Sequence, residues 1–404
     1  MMKQKFTIGY KLYLAFIFCL PFISLGLPVG KFKFSIPDFL ILLSFLSAFE
    51  KGEVLITTQF KRVANIILFF LFAVSLSVYK VSDISRYFMG LLPLLNGVLI
   101  VFLTFNYYYL YKENFLYYTK LAFMLALVIC FLPAYPVFLG IKIDFFIKGY
   151  RYAYVMENPN QCMAYIFCGI VCVGILELIH LKKFSSLFFY LILFSIIPML
   201  ATGSRTGLFS FMIFLSFFFL INFRKTGVVF IAGGALGLIV LAFANLSKPN
   251  LNNNFFLNRG LSIFSFFETS KGDITQAGAT GESIKLGLEA FEDNPFIGVG
   301  LGNFVGNYFV YEVHNTFVSI LAETGIIGFS SYLLLLAVIL VCIVRVDIPI
   351  KFKIFLYIAF ALFLMMNIPH LLLRQRWTWV LFSFFYLLMF YQKKIKHVRN
   401  IWIN

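Results

Sequence analysis

The chain has 404 residues, of which 61% are hydrophobic and 12% charged, with a formal net charge of +16. No water-soluble interior holds that much apolar side chain, so the composition excludes a soluble enzyme and makes lipid the solvent for most of the sequence. The positive charge invites a nucleic-acid reading, but the lysines and arginines crowd into short loops beside apolar runs, where they read as a topology signal, and no nucleic-acid partner is expected.

Taken in order, apolar runs long enough to span a bilayer fall near residues 12–29, 34–49, 63–79, 87–106, 116–139, 160–180, 186–201, 206–222, 227–246, 315–344, 352–373 and 377–391. The expectation is an all-α integral membrane protein of about twelve transmembrane helices, one polytopic domain over 1–404, with both termini cytoplasmic. The first run follows Lys3, Lys5 and Lys11 as a signal peptide would. It lacks a small-residue cleavage site and many spans follow it, so it reads as a first helix. Cys19, Cys130, Cys162, Cys168, Cys172 and Cys342 all lie in apolar runs without disulfide or zinc spacing and read as small core hydrophobes.

Two segments on the outer side stand apart from short turns. The smaller, 141–160, carries Arg151 ahead of Asn158-Pro159-Asn160. That triplet signals a turn and helix start, and reads either as the cap of the sixth span or as part of a site. The larger, 246–313, is the one extended polar stretch and forms a loop between spans 9 and 10. Within it, Thr280-Gly281-Glu282 precedes Ile284, Leu288 and Phe291, at i, i+4 and i+7, and the pattern stops at Asn294-Pro295. This predicts a short amphipathic helix with an acidic first turn. Gly298-Val299-Gly300-Leu301-Gly302-Asn303 looks like a dinucleotide loop, but no strand or βαβ unit flanks it, so a tight turn back toward the membrane is expected.

Candidate chemistry gathers on that same face. His314-Asn315 opens the run that reads on to Val344, placing an imidazole where a helix leaves lipid. Histidine is the side chain most easily set to exchange a proton near neutral pH; the alternative is an interfacial residue that only solvates a helix end. Arg205, in Thr202-Gly203-Ser204-Arg205-Thr206-Gly207, sits between the seventh and eighth spans beside a new helix N-terminus. A fixed bidentate donor there suits a phosphate or diphosphate, or else snorkels to lipid headgroups. Arg259, Arg374 and Arg376 share the face. Glu323 lies nine residues past His314, about 900° of helical rotation. It therefore points away from the imidazole and reads as a packing or hydrogen-bonding residue. No metal-ligand cluster and no paired carboxylates are evident, so neither metal nor cofactor is expected.

Together these residues form a recognisable set. His314-Asn315-Thr316-Phe317 running into Leu321-Ala322-Glu323-Thr324-Gly325-Ile326-Ile327-Gly328 resembles the hallmark of the O-antigen ligase and polymerase superfamily. Asn158-Pro159-Asn160, Ser204-Arg205-Thr206-Gly207 and Asn294-Pro295-Phe296-Ile297-Gly298-Val299-Gly300-Leu301-Gly302-Asn303-Phe304 match in the same order. The resemblance implies a multi-pass glycosyltransferase of the bacterial inner membrane, with its active site facing the periplasm. Its donor would be an undecaprenyl-diphosphate-linked oligosaccharide, and it would use no metal. The acceptor is another lipid-linked repeat unit in the polymerase branch and a lipopolysaccharide core sugar in the ligase branch. By position, His314 would activate the acceptor hydroxyl and Arg205 would grip the departing diphosphate. Many relatives carry a further arginine fifteen residues before the Pro of the Asn-Pro-Phe match, where this chain has Thr280, and Arg259 is the candidate to supply that charge. Arg151, Asn158, Asn160, Asn315, Arg374 and Arg376 are the candidate substrate-binding residues. A chain-length regulator and a flippase are the partners that the resemblance implies.

The polymerase is the leading expectation and the ligase the alternative. A lipid-linked oligosaccharide transporter would instead show charges in mid-span and duplicated halves, whereas the ionisable groups here gather at one face. A non-catalytic assembly role would leave His314→Ala harmless.

Overall fold

The computed structural model describes residues 6–29, 32–139, 141, 143–148, 151–156, 158–222, 274–368 and 370–391. The ninth apolar run, 227–246, the first part of the large loop and Arg259 lie outside the described residues. The other eleven runs coincide with helices: α1 (Ile8–Cys19), α2 (Ile36–Glu50), α3 (Thr58–Ser75), α4 (Ile84–Tyr111), α5 (Glu113–Phe131) with the short α6 (Ala134–Phe138), α7 (Pro159–Leu181), α8 (Ser186–Thr202), α9 (Arg205–Ile221), and, beyond the loop helix α10 (Ile274–Asp293), α11 (Thr316–Arg345), α12 (Ile350–Met366) and α13 (Arg376–Leu387). By length and apolar composition, five of these segments can cross a membrane: Thr58–Lys80, Ile84–Tyr111, Glu113–Phe138, Pro159–Leu181 and Thr316–Arg345. The protein is mainly helical; its described strands are two two-stranded hairpins, β1 (Gly26–Val29) with β2 (Phe32–Ser35), and β3 (Ile147–Lys148) with β4 (Arg151–Tyr152).

Helix starts follow local capping chemistry. Ser35 and Asp38 close a capping box on α2, Thr57 caps α3, Asp83 caps α4 and Ser185 caps α8. Each supplies a side-chain oxygen to N–H groups that the helix itself cannot pair. The bundle is organised around α7 and α13. The apolar stretch of α7 is wholly buried, and every residue of α13 after Arg376 is buried. Gly97 of α4 leaves room for the Trp379 indole of α13, where any larger side chain would overlap the ring.

At the bundle end opposite His314, a buried carboxylate ties three helices together. Glu177 of α7 is fully buried, pairs with Lys120 Nζ of α5 at 3.1 Å, and accepts from Ser185 N at the start of α8 at 2.7 Å. At the His314 end a second, smaller core of Ala290, Val299, Phe304, Val313 and Ala322 joins α10 and the loop to the first turns of α11.

The loop helix departs from its expected form. It begins at Ile274, ahead of the anticipated Thr280, so Glu282 lies in its interior and the first turn carries no acid. The face turned inward is Ser283, Gly287 and Ala290, while Leu288 is left 43% exposed. A side chain at Gly287 would press on Val313 and Val318, so small residues let the two backbones approach closely and override the pattern of large apolar ones.

Candidate active site

The hallmark stretch folds as a broken helix. Asn315 is the N-cap of α11, its Oδ1 accepting from Phe317 N at 2.9 Å and Val318 N at 3.0 Å. Ten residues further in, Gly325 adopts φ 62°, ψ −168°, a conformation essentially reserved for glycine, and the helix kinks there. The break frees two N–H and two C=O groups, and the Asn-Pro-Phe-Ile-Gly-Val-Gly loop takes up all four. Ile326 N donates to Pro295 O at 2.8 Å and Ile327 N to Phe296 O at 3.2 Å, while Val299 N donates to Ala322 O at 3.0 Å and Gly300 N to Glu323 O at 3.1 Å. Two helical hydrogen bonds are thus exchanged for four to the loop, and each of the four groups freed at the break is paired. Gly298, at φ 70°, lies so close to the Glu323 backbone that a Cβ would overlap it.

This stitched unit presents His314. Val313 is buried in the small core and Thr316 is fully buried, so the exposed His314 projects between two fixed neighbours. The connection between α12 and α13 supports the same segment from below: Thr316 N donates to Asn367 O at 2.9 Å, Thr316 Oγ1 donates to His370 O at 2.5 Å, and Leu372 N donates to Thr316 Oγ1 at 2.9 Å. Further along the loop, Asn303, fully buried, accepts from Asp83 N at 2.8 Å and so docks the loop on the start of α4. Tyr308 Oη donates to Asp293 Oδ2 at 2.6 Å; partial burial, then this carboxylate, push the phenol up to about 12.

Arg374 and Arg376 enter this end of the bundle already ion-paired, where the sequence suggested free positive charge. Arg374 Nη1 meets Glu312 Oε1 at 2.6 Å and its Nη2 meets Glu323 Oε2 at 2.5 Å. Burial works against the guanidinium charge, but Glu323 and Glu312 outweigh it and raise the Arg374 pKa. Arg376 grips Asp38 with two hydrogen bonds, Nε to Oδ1 at 2.9 Å and Nη2 to Oδ2 at 2.7 Å, and Asn96 also donates to Asp38. The physical reason is burial: a guanidinium taken out of water needs an anion at hand, and each finds one on a distant part of the chain. Glu323 has Arg374 as its partner, and because the helix begins at Thr316, after His314, the two residues Glu323 and His314 do not share a helical phase.

The second corner lies at the starts of α7 and α9. Asn158 caps α7, accepting from Asn160 N at 2.8 Å, with Pro159 at the first helical position. Arg151 donates from Nε to Thr202 O at 2.7 Å and from Nη2 to Asn160 Oδ1 at 2.7 Å, so it joins the start of α7 to the end of α8. Gly203, at φ 56°, ends α8, Ser204 follows, and Arg205 is the first residue of α9. Helix α7 also touches α13 just inside both N-termini, where the Tyr165 and Trp377 rings meet edge to face at 5.8 Å. Both corners therefore occupy one end of the bundle. Sequence reasoning missed the acidic partners Asp38 and Glu312. Asp38, a lone acid in an apolar run, was the available signal.

No curated protein matches the chain. Residues 188–333 match the family model described as O-Antigen ligase, a span that takes in Arg205, Arg259, His314 and Asn315 but ends before Arg374 and begins after Asn160. That segment, with its Ser-Arg-Thr-Gly turn, looped histidine and broken Glu-Thr-Gly helix, is similar to the O-antigen ligase family and supports the resemblance to the O-antigen ligase and polymerase superfamily.

Proposed function

We propose that the protein is a periplasmic-face glycosyltransferase of the bacterial inner membrane that polymerises O-antigen, or related surface-polysaccharide, repeat units from an undecaprenyl-diphosphate-linked donor. A single observation supports it most: an exposed histidine stands just before the N-cap of a broken helix, at the same bundle end as the α8–α9 turn that carries Arg205. In the reaction, the acceptor hydroxyl oxygen attacks the anomeric carbon, its proton passes to His314, and the anomeric C–O bond breaks with its electron pair leaving on the lipid diphosphate. A positioned base contributes about 10²–10⁴-fold. Arg205 at a helix N-terminus counters charge on the departing diphosphate. Arg151, Asn158 and Asn160 shape the donor side of the site, Asn315 caps the helix that begins just after the base, and Arg259 is the candidate second diphosphate contact. Lipid diphosphate is a good leaving group, so the chemistry requires no metal. Twelve spans with both termini cytoplasmic put this end of the bundle outside the cell membrane, where a chain-length regulator and a flippase would work beside it.

The family match, to O-Antigen ligase, is equally compatible with a second reading, transfer of the finished glycan to lipid A-core by a ligase. Lipopolysaccharide from a deletion strain of the source bacterium, complemented with wild type, His314→Ala or Arg205→Ala, separates the two. Core bearing a single repeat in the mutants identifies the polymerase, and bare core with accumulated lipid-linked polymer identifies the ligase. A full ladder with His314→Ala removes both.

A further inference from the structure

Arg374 differs from an ordinary buried cation in what its two partners do. Glu323 is only 3% exposed and lies on the half-helix before the Gly325 break, whereas Glu312 is half-exposed and stands two residues before His314. The guanidinium therefore bridges the fixed half-helix to the strip of loop that carries the imidazole, at 2.5 and 2.6 Å. On the other side of His314, Thr316 is held by Asn367, His370 and Leu372, all from the same α12–α13 connection as Arg374. Residues 312 and 316 are thus both fastened to one support, and the exposed side chain between them has little backbone freedom. Glu323 is needed to keep Arg374 paired when Glu312 lets go, since an unpaired buried guanidinium is costly.

We propose that Arg374 and Glu312 are positioning residues for His314, acting through the backbone of residues 312–316 rather than on substrate. This goes beyond the function proposed above and rests on His314 being the base. It predicts a loss in turnover rather than in substrate affinity, because a misaimed base costs rate while the donor contacts at the Arg151 and Arg205 corner are untouched. Arg374→Ala strands Glu323 and is a poor probe, so the test falls on the half-exposed arm. Full-length protein purified in nanodiscs is assayed with lipid-linked repeat units extracted from the deletion strain, as wild type, Glu312→Gln and Glu312→Asp.

The expected result for Glu312→Gln is a kcat about tenfold lower with KM within about twofold of wild type, an unchanged melting temperature, and recovery of most of the rate in Glu312→Asp. A raised KM at constant kcat would show that the triad touches substrate, and unchanged kinetics in a protein that His314→Ala inactivates would show that it aims nothing; either overturns the proposal. In parallel, the rate at which diethyl pyrocarbonate modifies His314, read by peptide mass spectrometry with His180 at the opposite end as internal reference, reports the histidine's setting without catalysis. It is expected to shift about threefold in Glu312→Gln, in line with the modest net worth of one hydrogen bond. If labelling shifts while transfer is indifferent to both Glu312→Gln and His314→Ala, positioning stands and the catalytic reading fails. If labelling is unmoved, positioning fails whatever the kinetics.

Discussion

The two ends of the bundle each bury a carboxylate against a cation, and they do so to different ends. Glu177 and Lys120 are 0% and 11% exposed, and Ser185 completes their network from the adjoining helix start, so every partner belongs to the helical frame. Glu323 and Arg374 are comparably shielded, at 4% and 15%, but the guanidinium continues outward to Glu312, beside the exposed His314. A closed pair holds helices together; an open one also transmits the position of the frame to a mobile class of element, a surface loop. That contrast teaches where to look for chemistry in a bundle whose composition offers many buried polar contacts.

The largest expected effect falls on the open end alone. His314→Ala is predicted to cut transfer by about 10²–10⁴-fold while leaving thermal unfolding in detergent unchanged, because the side chain is exposed; a fall in melting temperature would move His314 from chemistry to packing. Next, Arg374→Ala and Lys120→Ala should cost similar stability, about 3–5 kcal/mol each, since each strands a carboxylate that is at least 96% buried by its side chain. Denaturant or thermal unfolding of the two variants checks the symmetry, and a much smaller loss for Arg374→Ala would mean that Glu323 reaches water.

Backbone substitutions sharpen the comparison further. Gly325→Ala or Gly298→Ala should cost about 2–3 kcal/mol, because a Cβ at either position meets the backbone of the other limb of the stitch. Gly52→Ala shares a positive φ of 63° but has open space around it, so it should cost only about 1 kcal/mol. Limited proteolysis between residues 296 and 313 should accelerate in the first two variants and not in the third. The smallest effect is expected for Tyr308→Phe, which deletes one partly exposed hydrogen bond to Asp293 and should lower stability by about 1 kcal/mol or less.

Particular residues show how far the sequence carries. Asn158-Pro159-Asn160 and His314-Asn315 could be read as helix starts because capping depends on a side chain and the N–H groups two or three residues away, all local in sequence. The break at Gly325 could not, since the apolar run passes through it without interruption and only the arrival of residues 295–300 makes a kink favourable. Nor could the pairing of Arg376 with Asp38, whose partners are 338 residues apart. The packed face of α10 was misjudged for a related reason: hydrophobicity reports what prefers burial, but closeness of approach to α11 selected Ser283, Gly287 and Ala290.

By itself, then, the sequence determined the solvent of this protein, the places where its helices begin, and the ordered motifs that mark its superfamily, because those properties are set by composition and by neighbours along the chain. Only the tertiary structure decided that Arg374 and Arg376 meet carboxylates, that the glycine-rich loop mends a broken helix, and that His314 is held from both sides. Those are long-range matters, governed by the need of every buried charge and every freed backbone group to find a partner wherever the fold brings one.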